Sequence, residues 1–544
     1  DLKKLAEKVN SGEAYAGKYF KQTKDIDLEN KEWTPIGTVD TPFQGTFDGD
    51  GHQITNLKIS NGGQYAGLFG YTEGAVIKNC NVTGEINGYN YTGGIVGSAN
   101  VNTKILNCSF QGNVKGKGED RGGIVGYMSG GGEVNRCYVI GTVTGYREVG
   151  GIAGYGVGTI KNCYALADVT AAGDNAGYNA GGIAGYAYGV TIENCYYSGE
   201  VSASGSAGGI AGNAWRGTIQ NCVSLAESVT GSNANRIAGY NYNATLTNNY
   251  AWDGTTVSSS ATSDGADLTY TNGTLSPQFS EIFGSDNSAW EFTDNGLPIL
   301  KDVGGAQSAY LPLYLTGESF YGKGTAESPY LIQNAEDLKT LAQKVNGGTD
   351  YAGKYFKQTA DINLNNEENW TPIGGTVIEH PSTQEISVFK GNFDGDGHRI
   401  TITGDSDFGG LFGSVEEAII QNCHVVGDVK GYYSVGGIVG SAGLNTKILN
   451  CSFRGNVTGT GSCIGGIVGD TSSGCEVSGC FVTGKKVEGL KKVGGIAGDA
   501  CGTIKNCYAL ADVTAKSDFS PNTNEAGNYA GGIAGDVFYC TIEN

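Results

Sequence analysis

The chain has 544 residues, of which 92 are Gly and only 9 are Pro, and its formal net charge at pH 7 is −20. This acidic balance disfavours nucleic acids and anionic membrane surfaces as partners, because both repel a negatively charged protein. Gly without a Gly-X-Y period excludes collagen, a hydrophobic share of 39% exceeds that of a simple disordered tract, and no apolar run approaches the roughly 18 residues of a membrane span.

The first sixty residues carry a helical pattern that returns later in the chain. In the later copy Asn334 is placed to cap a helix and Gly347 to end it. The apolar residues recur at i, i+3, i+4 and i+7 in both copies, at Leu2, Leu5, Ala6 and Val9, and at Leu338, Leu341, Ala342 and Val345. We expect each helix to cover the open end of a stack of strands, where backbone groups would otherwise be unpaired.

From residue 61 onward the sequence repeats every 26 to 37 residues, which indicates a repeat architecture. Gly150–Ala171 and Gly494–Ala515 are near-identical copies of one unit and differ at three positions only. Each repeat holds about three short β segments separated by Gly and Asn, which tolerate positive φ, and leaves no room for a helix. The fold class is therefore predicted to be all-β, a right-handed parallel β-helix (β-solenoid), with the hand following from the preference of parallel crossovers.

The predicted organisation is two tandem modules, each with a short N-terminal capping helix. The boundaries are 1–60 for the cap of module 1, 61–250 for its β-helix repeats, 251–302 for a loop and closing unit, 303–327 for a linker, 328–405 for the cap of module 2, and 406–544 for its β-helix repeats. The Ser/Thr/Gly-rich stretch 250–276 is predicted to be a loop. When the two modules are aligned, each end of the sequence lacks residues that the other module has at the corresponding place. We therefore expect this sequence to be part of a longer protein.

The repeat markers are Gly-Gly followed by Ile or Leu, then Asn-Cys, then Gly-x-Val, as in the stretch 150–171. They resemble the GLUG-motif family over residues 66–250 and 409–544. The resemblance implies a bacterial cell-surface or secreted protein, often an adhesin, that presents an extended face to a host or matrix protein or glycan. It also implies an alternative, since some such repeats sit beside a metallopeptidase that cleaves immunoglobulin A.

Catalysis is not expected within this window. None of the four histidines is followed by Glu, so the His-Glu-x-x-His pattern of that peptidase is missing, and no nucleophile triad, P-loop or dinucleotide fingerprint occurs. A polysaccharide-active β-helix enzyme remains a further alternative, because stacked carboxylates about 5 Å apart match the separation of a retaining pair. We expect no cofactor, with Ca²⁺ the one ion that an aspartate column could bind.

Cysteine recurs at one repeat position, so stacking predicts a column of buried thiols rather than metal ligands. Its members are Cys80, Cys108, Cys137, Cys163, Cys195, Cys222, Cys423, Cys451, Cys480 and Cys507. Off this column, Cys475 and Cys501 could form a disulfide, because both precede an equivalent strand on successive repeats. The Asn before most of the column cysteines predicts a ladder at a left-handed bend, with Arg136 an exception.

The position after Gly-Ile-Ala-Gly differs between the modules, although the core residues agree, and this predicts side chains that point outward. In module 1 it carries Tyr71, Tyr127, Tyr155, Tyr186 and Tyr240, and Trp215 lies nearby. A tyrosine stripe could stack on sugar rings or on a partner protein, or could only pack along the β face. In module 2 it carries Asp470, Asp499 and Asp536, whose like charges require solvent or a bridging cation such as Ca²⁺.

Overall fold

The computed structural model describes residues 1–172, 178–259, 265–293, 296–364, 370–379, 384–516 and 529–544. It divides into two compact units, Asp1–Gly317 and Glu318–Asn544. Almost all regular structure is β, and successive turns of the chain pair in parallel, so the predicted parallel β-solenoid is confirmed. Among the described residues no helix is long and apolar enough to cross a membrane.

Unit 1 winds around three parallel sheets, here called A, B and C, which follow one another in each turn. The strands of sheet A are Tyr19–Lys21, Thr46–Asp48, Phe69–Glu73, Val76–Lys78, Val96–Asn100, Lys104–Leu106, Val125–Asn135, Ala153–Lys161, Ala184–Tyr188, Thr191–Glu193, Ala211–Gln220 and Ala238–Thr247. The strands of sheet B are Ile26–Asp27, Gln53–Ile59, Asn81–Gly88, Ser109–Gly116, Tyr138–Gly145, Tyr164–Ala171, Tyr196–Ala203, Val223–Thr230, Tyr250–Trp252, Thr256–Val257, Ala266–Thr271 and Thr274–Ser276. The strands of sheet C are Thr92–Gly93, Arg121–Gly122, Val149–Gly150, Asn179–Gly181, Ser206–Gly208 and Asn233–Asn235.

Unit 2 repeats this plan with sheets A′, B′ and C′. The strands of sheet A′ are Tyr330–Ile332, Tyr355–Gln358, Asn392–Asp394, Phe412–Val415, Ile419–Gln421, Val439–Ala442, Lys447–Leu449, Val468–Thr471, Glu476–Ser478, Ala497–Lys505 and Ala534–Glu543. The strands of sheet B′ are Ile362–Asn363, Arg399–Phe408, His424–Tyr433, Ser452–Gly459, Phe481–Val482, Lys486–Gly489, Tyr508–Ala509 and Asp512–Ala515, and those of sheet C′ are Val435–Gly436, Ser462–Gly465, Lys491–Gly494 and Ala530–Gly531. A separate hairpin joins Val377–Glu379 to Gln384–Ile386.

Both predicted capping helices are present, at Leu2–Asn10 and Ala335–Asn346. The Asn334 side chain accepts a hydrogen bond from the Asp337 amide at 3.0 Å, as an N-cap does, and Gly347 follows the last turn. The four predicted apolar residues of each helix are buried in the core of their unit. Sequence periodicity therefore located both the helices and the faces that they bury.

Over residues 250–259 and 265–276 the chain is not the predicted loop, and residues 260–264 of that prediction lie outside the described residues. Its strand Tyr250–Trp252 pairs with Val223 and Ser224 and extends sheet B, and Ala266–Thr271 pairs with it in turn. The loop was predicted because Ser, Thr and Gly dominate the composition of this stretch. The aromatic residues of Tyr250–Trp252 favour a strand locally, and these three residues are enough for it to pair.

A closing segment, here residues 266–317, follows these strands and packs on sheet B. It contains the short helices Phe279–Phe283 and Leu313–Thr316 and the hairpin of Trp290–Glu291 with Ile299–Leu300. Its apolar side chains form one cluster with the fully buried Tyr138, Tyr164 and Tyr196 of sheet B. Residues 303–317, which fall in the predicted linker, contribute Leu311 and Leu315 to this cluster.

Candidate binding faces

The cysteine column lies inside both units and every member is a free thiol. Each sulfur donates to the carbonyl two residues upstream, as from Cys163 to Lys161 at 3.1 Å and from Cys222 to Gln220 at 3.2 Å. Nine of the ten are buried, and Cys507 is half-buried. A thiol that is packed and has an acceptor serves the core and offers nothing to a ligand.

The residue before each of these cysteines adopts a left-handed conformation, as the Asn ladder requires. Amides bond along the axis, with the Asn107 side chain donating to Asn79 at 3.1 Å and that of Asn248 to Asn221 at 2.7 Å. Arg136 has the same φ of 57°. Its guanidinium donates to the Lys301 carbonyl in the closing segment, which accounts for its departure from Asn.

The predicted outward column of unit 1 is in register from turn to turn. Tyr71, Ser98, Tyr127, Tyr155, Tyr186, Asn213 and Tyr240 pair successively along sheet A. The ring centroids of Tyr127 and Tyr155 are 5.3 Å apart at 19°, and those of Tyr155 and Tyr186 are 5.2 Å apart at 5°. Burial, with the two flanking tyrosines, raises the pKa of Tyr155 to about 12.

This stacking decides which part of each tyrosine a ligand can meet. Because the inner rings cover one another face to face, they present edges and hydroxyl groups outward rather than ring faces. A sugar that stacks on an aromatic side chain needs a free face. The middle of the column therefore does not offer the ring faces that stacking on a sugar requires.

Free ring faces occur two residues further along the same strands. Tyr188, Trp215 and Tyr242 pair in register on successive turns, and Trp215 stacks on Tyr242 with centroids 4.1 Å apart. Tyr188 and Tyr242 are 40% and 37% exposed, and neighbouring Tyr240 is 41% exposed. Within the described residues the other face of Trp215 makes no ring contact. We call Tyr188, Trp215, Tyr240 and Tyr242 the aromatic platform.

A second column, which the sequence reasoning missed, runs beside the first, where the chain passes from sheet B to sheet C. It contains Tyr65, Tyr91, Asp120 and Glu148, each with positive φ and each two residues before the first Gly of the repeat marker. Tyr65 stacks on Tyr91 at 5.1 Å, and Tyr91 meets Tyr127 edge-on at 5.7 Å. The constant position of these residues before the Gly pair could have located the column. It was missed because a left-handed conformation of a residue other than Gly is not evident from sequence.

The two carboxyl groups of this second column are deeply buried. Asp120 is 6% exposed and Glu148 is 7% exposed. Burial, with the nearby Glu148 and Glu119, raises the pKa of Asp120 to about 8 against the opposing Arg121 and Arg147. Burial also raises the pKa of Glu148 to about 7, although Arg147 opposes this shift.

In unit 2 the outward column carries the predicted aspartates, and they face a lysine. Asp470 pairs in register with Asp499, and Asp499 with Asp536. The Lys492 ammonium lies 2.5 Å from an Asp499 oxygen and 3.0 Å from an Asp536 oxygen, and it lowers the pKa of Asp536. The Asp column thus has an internal cation, which the sequence reasoning missed because Lys492 belongs to the second, left-handed column.

These residues line an open cavity of about 650 Å³, together with Ser434, Ser441, Cys463, Thr471, Cys501 and Phe538. Asp470 is the most enclosed of the three carboxylates, and burial raises its pKa. The Ser441 hydroxyl donates to it at 3.0 Å. The polar groups of this cavity are therefore largely satisfied by one another.

Cys475 and Cys501 are both free thiols. Glu476 pairs with Thr503, so Cys475 lies opposite Gly502 and Cys501 is displaced by one residue along the strand. The buried Cys475 sulfur donates to the Gly443 carbonyl at 2.9 Å. The disulfide stays a prediction, and this register works against it.

The sequence Asp-Gly-Asp-Gly occurs in each unit, at residues 48–51 and 394–397, and the first Asp of each has its oxygens engaged by protein groups. Asp48 accepts from the Asn79 amide at 2.8 Å and lies 3.0 Å from the Lys78 ammonium, and Asp394 accepts from Asn422 at 2.9 Å. Among the described residues no group of three or more His, Cys, Asp or Glu side chains is arranged to hold a metal ion.

Comparison with known proteins supports the repeat assignment. Residues 431–458 match the model of the GLUG motif, which confirms the resemblance. Halomucin of Haloquadratum walsbyi is 30% identical over 148 residues, which are 26% of this chain but only 2% of halomucin.

Two solved structures are similar to part of this chain. A Bacteroides ovatus protein described as a "putative immunoglobulin A1 protease" is 26% identical and has a TM-score of 0.33, with 42% of this chain and 68% of that chain covered. A structure named IgA1 Protease is 16% identical with a TM-score of 0.35, covering 57% of this chain and 25% of that one. Likenesses at these scores assign no activity to this chain.

Proposed function

We propose that this chain is a non-catalytic binding region of a bacterial cell-surface or secreted protein, adhesin-like, that holds a host or matrix glycan or protein on the outer face of its β-solenoid. The aromatic platform is the observation that carries the proposal. A soluble β-sheet usually turns polar residues to water, whereas here three tyrosines and a tryptophan share one solvent-facing patch. Partly exposed Trp and Tyr side chains are enriched where proteins bind partners.

The architecture supports the same function. A solenoid positions equivalent side chains about 4.8 Å apart along its axis, so a ligand with its own repeat meets several sites at once. We propose a glycan or a protein as the partner because the net charge of −20 disfavours binding to nucleic acids and anionic membranes. The extracellular location, like the ligand, belongs to the proposal, and the match to halomucin, though short, is in keeping with it.

The test is capture of the intact chain on arrays of host glycans and matrix proteins. Trp215→Ala combined with Tyr242→Ala removes the stacked pair, and we expect captured signal to fall at least tenfold while the thermal transition is unchanged. Tyr432→Ala in unit 2, which removes a side chain that is 45% exposed, is the matched control and should bind as the unmodified chain does. Equal capture by all three proteins would refute the proposal.

A further inference from the structure

A cavity of about 320 Å³ lies on the outer face of sheet A′ in unit 2, and the proposed function does not use it. Three neighbouring strands of the sheet contribute Tyr355, Asp394 and Gln421 to its lining, and Pro329 contributes from the segment before them. The charged residues that line the cavity are Asp394 and Lys357. It is therefore a mixed aromatic and acidic site with a defined volume.

Unit 1 contains the same three strands in the same register. Each pair of strands aligns residue for residue between the units, so three outward side chains of one unit have direct counterparts in the other. These are Tyr19, Asp48 and Lys78 in unit 1, and Tyr355, Asp394 and Gln421 in unit 2. Unit 1 therefore shows what the Tyr and Asp positions hold when the third residue is a lysine.

In unit 1 the Tyr and the Asp bind an ammonium group. The Lys78 ammonium lies 3.0 Å from a carboxylate oxygen of Asp48 and 5.5 Å from the centroid of the Tyr19 ring. The Tyr19 hydroxyl donates to the same carboxylate oxygen. The hydrogen bond to Asp48 raises the pKa of Lys78, as expected at a position that favours a charged ammonium. A cation held by a carboxylate and a ring gains from both.

In unit 2 the ammonium is missing, because Gln421 replaces the lysine. The Gln421 side chain donates to one Asp394 oxygen at 2.8 Å, and Tyr355 is not among the partners of Asp394 in the described part of the chain. This oxygen therefore has one partner, whereas its Asp48 counterpart has two. A carboxylate oxygen can accept two hydrogen bonds, so one acceptor position at Asp394 is open.

The charge balance differs in the same way. In unit 1 two lysines pair with the two aspartates of the Asp-Gly-Asp-Gly sequence, Lys21 with Asp50 at 2.9 Å and Lys78 with Asp48. In unit 2 Lys357 pairs with Asp396 at 3.0 Å, and within the described residues Asp394 has no ion pair. Burial opposes ionisation of Asp394, but hydrogen bonds from two side-chain amides and one backbone amide lower its pKa. The cavity thus carries one negative charge that no ion pair compensates.

We propose that this cavity is a binding site for the side-chain ammonium group of a lysine on a partner protein, in the place that Lys78 occupies in unit 1. The ammonium shares the open oxygen of Asp394 with Gln421 and lies over the ring of Tyr355, which is 39% exposed. The apolar stem of the lysine packs on Pro329 and Ile419, which line the cavity. The net charge of −20 attracts a cationic partner.

The geometry favours lysine over arginine. The second Asp394 oxygen already accepts from the Asn422 side chain and from the Asp396 amide, both at 2.9 Å. One open acceptor position suits the compact charge of an ammonium, whereas a guanidinium binds best to both oxygens of a carboxylate. The site differs from the aromatic platform, because it lies in unit 2 and recognises a charge.

The test is isothermal titration calorimetry of the full chain at low salt with Nα-acetyl-lysine amide. Nα-acetyl-norleucine amide is the matched probe, since it has a similar stem and no charge. We expect the lysine probe to bind, the norleucine probe not to bind, and Nα-acetyl-arginine amide to bind severalfold more weakly than the lysine probe. Absence of lysine binding, equal binding of the norleucine probe, or tighter binding of the arginine probe would overturn the inference.

Variants assign the binding to this cavity. Gln421→Lys supplies the ammonium from within the chain, as Lys78 does in unit 1, and should weaken binding of the lysine probe at least tenfold without lowering the thermal transition. Tyr355→Leu removes the ring and should weaken binding severalfold. Asp405→Asn changes the net charge by the same amount as Gln421→Lys at an exposed acid, and should bind as the unmodified chain does.

Unchanged binding in both Gln421→Lys and Tyr355→Leu would overturn the inference, as would an equal loss of binding in Asp405→Asn. None of these results bears on the aromatic platform, which lies at other residues of unit 1.

Discussion

The two copies of one turn, Gly150–Ala171 and Gly494–Ala515, share all but three residues and yet have different surroundings. In unit 1, Tyr164 is fully buried between Tyr138 and Tyr196, with ring centroids 4.9 and 4.7 Å away. In unit 2 its counterpart Tyr508 stacks on Phe481 at 5.2 Å, and among the described residues it belongs to no cluster like that of the closing segment. The sequence of a turn thus sets its strands and columns, whereas neighbouring segments decide which columns are covered.

The closing segment is what covers Tyr164. Trp290 lies 6.2 Å from Tyr164 and 5.7 Å from Tyr196 between ring centroids, and the Tyr196 hydroxyl donates to the Pro298 carbonyl at 3.0 Å. Sheet B has a buried tyrosine ladder and sheet A has a partly exposed one. Both arise in the same way, because a tyrosine recurs at one position of successive turns. Only the second is partly exposed to solvent.

The largest loss of stability should follow from disrupting the packing of the closing segment on sheet B. Trp290 is 1% exposed, and Trp290→Ala should destabilise unit 1 by about 3–5 kcal/mol, because a large buried side chain leaves a cavity. Chemical denaturation followed by hydrogen exchange would locate the loss. Exchange should quicken in Tyr138–Gly145 and Tyr164–Ala171 and stay unchanged in sheet A′. Equal loss in both units would contradict the comparison.

Asp120 should make the stability of unit 1 depend on pH. The same positions of the second column in unit 2 carry Ser434 and Cys463, which have no carboxyl group. The folded pKa of Asp120, about 8, lies above the ordinary value of 3.8, so stability is highest below pH 4 on this account and falls as pH rises from 4 to 8. Asp120→Asn should reduce this slope without removing it, because the raised pKa of Glu148 contributes a slope of the same sign, and the variant should gain about 3 kcal/mol at pH 8.5. Urea denaturation from pH 5 to 8.5 measures it. A variant that keeps the slope would show that another group causes it.

In unit 2 Lys492 has the opposite effect, because it stabilises the ionised form of the neighbouring carboxyl groups. Lys492→Met leaves Asp499 and Asp536 facing each other, and because the pair is partly exposed we expect a loss of about 1 kcal/mol at pH 7. Since Lys492 lowers the pKa of Asp536, this stabilisation is present above the ordinary Asp pKa and disappears as pH falls through the lowered one. Urea denaturation at pH 7 and at pH 3 should therefore show a smaller difference between variant and parent at pH 3.

The smallest effect concerns a position that changed between the copies, Gly156 against Ala500. A Cβ at Gly156 would meet Ile160 at 3.6 Å and Val190 at 3.8 Å, which are ordinary contacts. Gly156→Ala should therefore stabilise unit 1 by about 0.5 kcal/mol through the unfolded chain. Gly158→Ala is the contrast, because its φ is +124° and its Cβ would lie 2.3 Å from the Gly132 carbonyl oxygen. Thermal melting should rise slightly for the first and drop for the second.

Sequence periodicity predicted most of the fold, because each turn repeats the same Gly, Asn and Cys at fixed offsets. It also placed the outward column that begins at Tyr71 and Asp470 in register. It did not reveal that Tyr127, Tyr155 and Tyr186 stack face to face, since ring orientation depends on neighbours in space. Lys492 and Asp120 were missed for another reason: their side chains reach the first column only because a left-handed residue turns the chain at that corner.

The most direct test of the account uses one peptide sequence present twice. Tyr164–Ala171 and Tyr508–Ala515 are identical, so their intrinsic amide exchange rates agree, and peptides that extend to Ala172 or Lys516 tell them apart. We predict that hydrogen exchange is at least tenfold slower in the first copy, because the closing segment packs on its strand. Equal exchange in the two copies would contradict the claim that neighbours, and not the sequence of the turn, decide what is exposed.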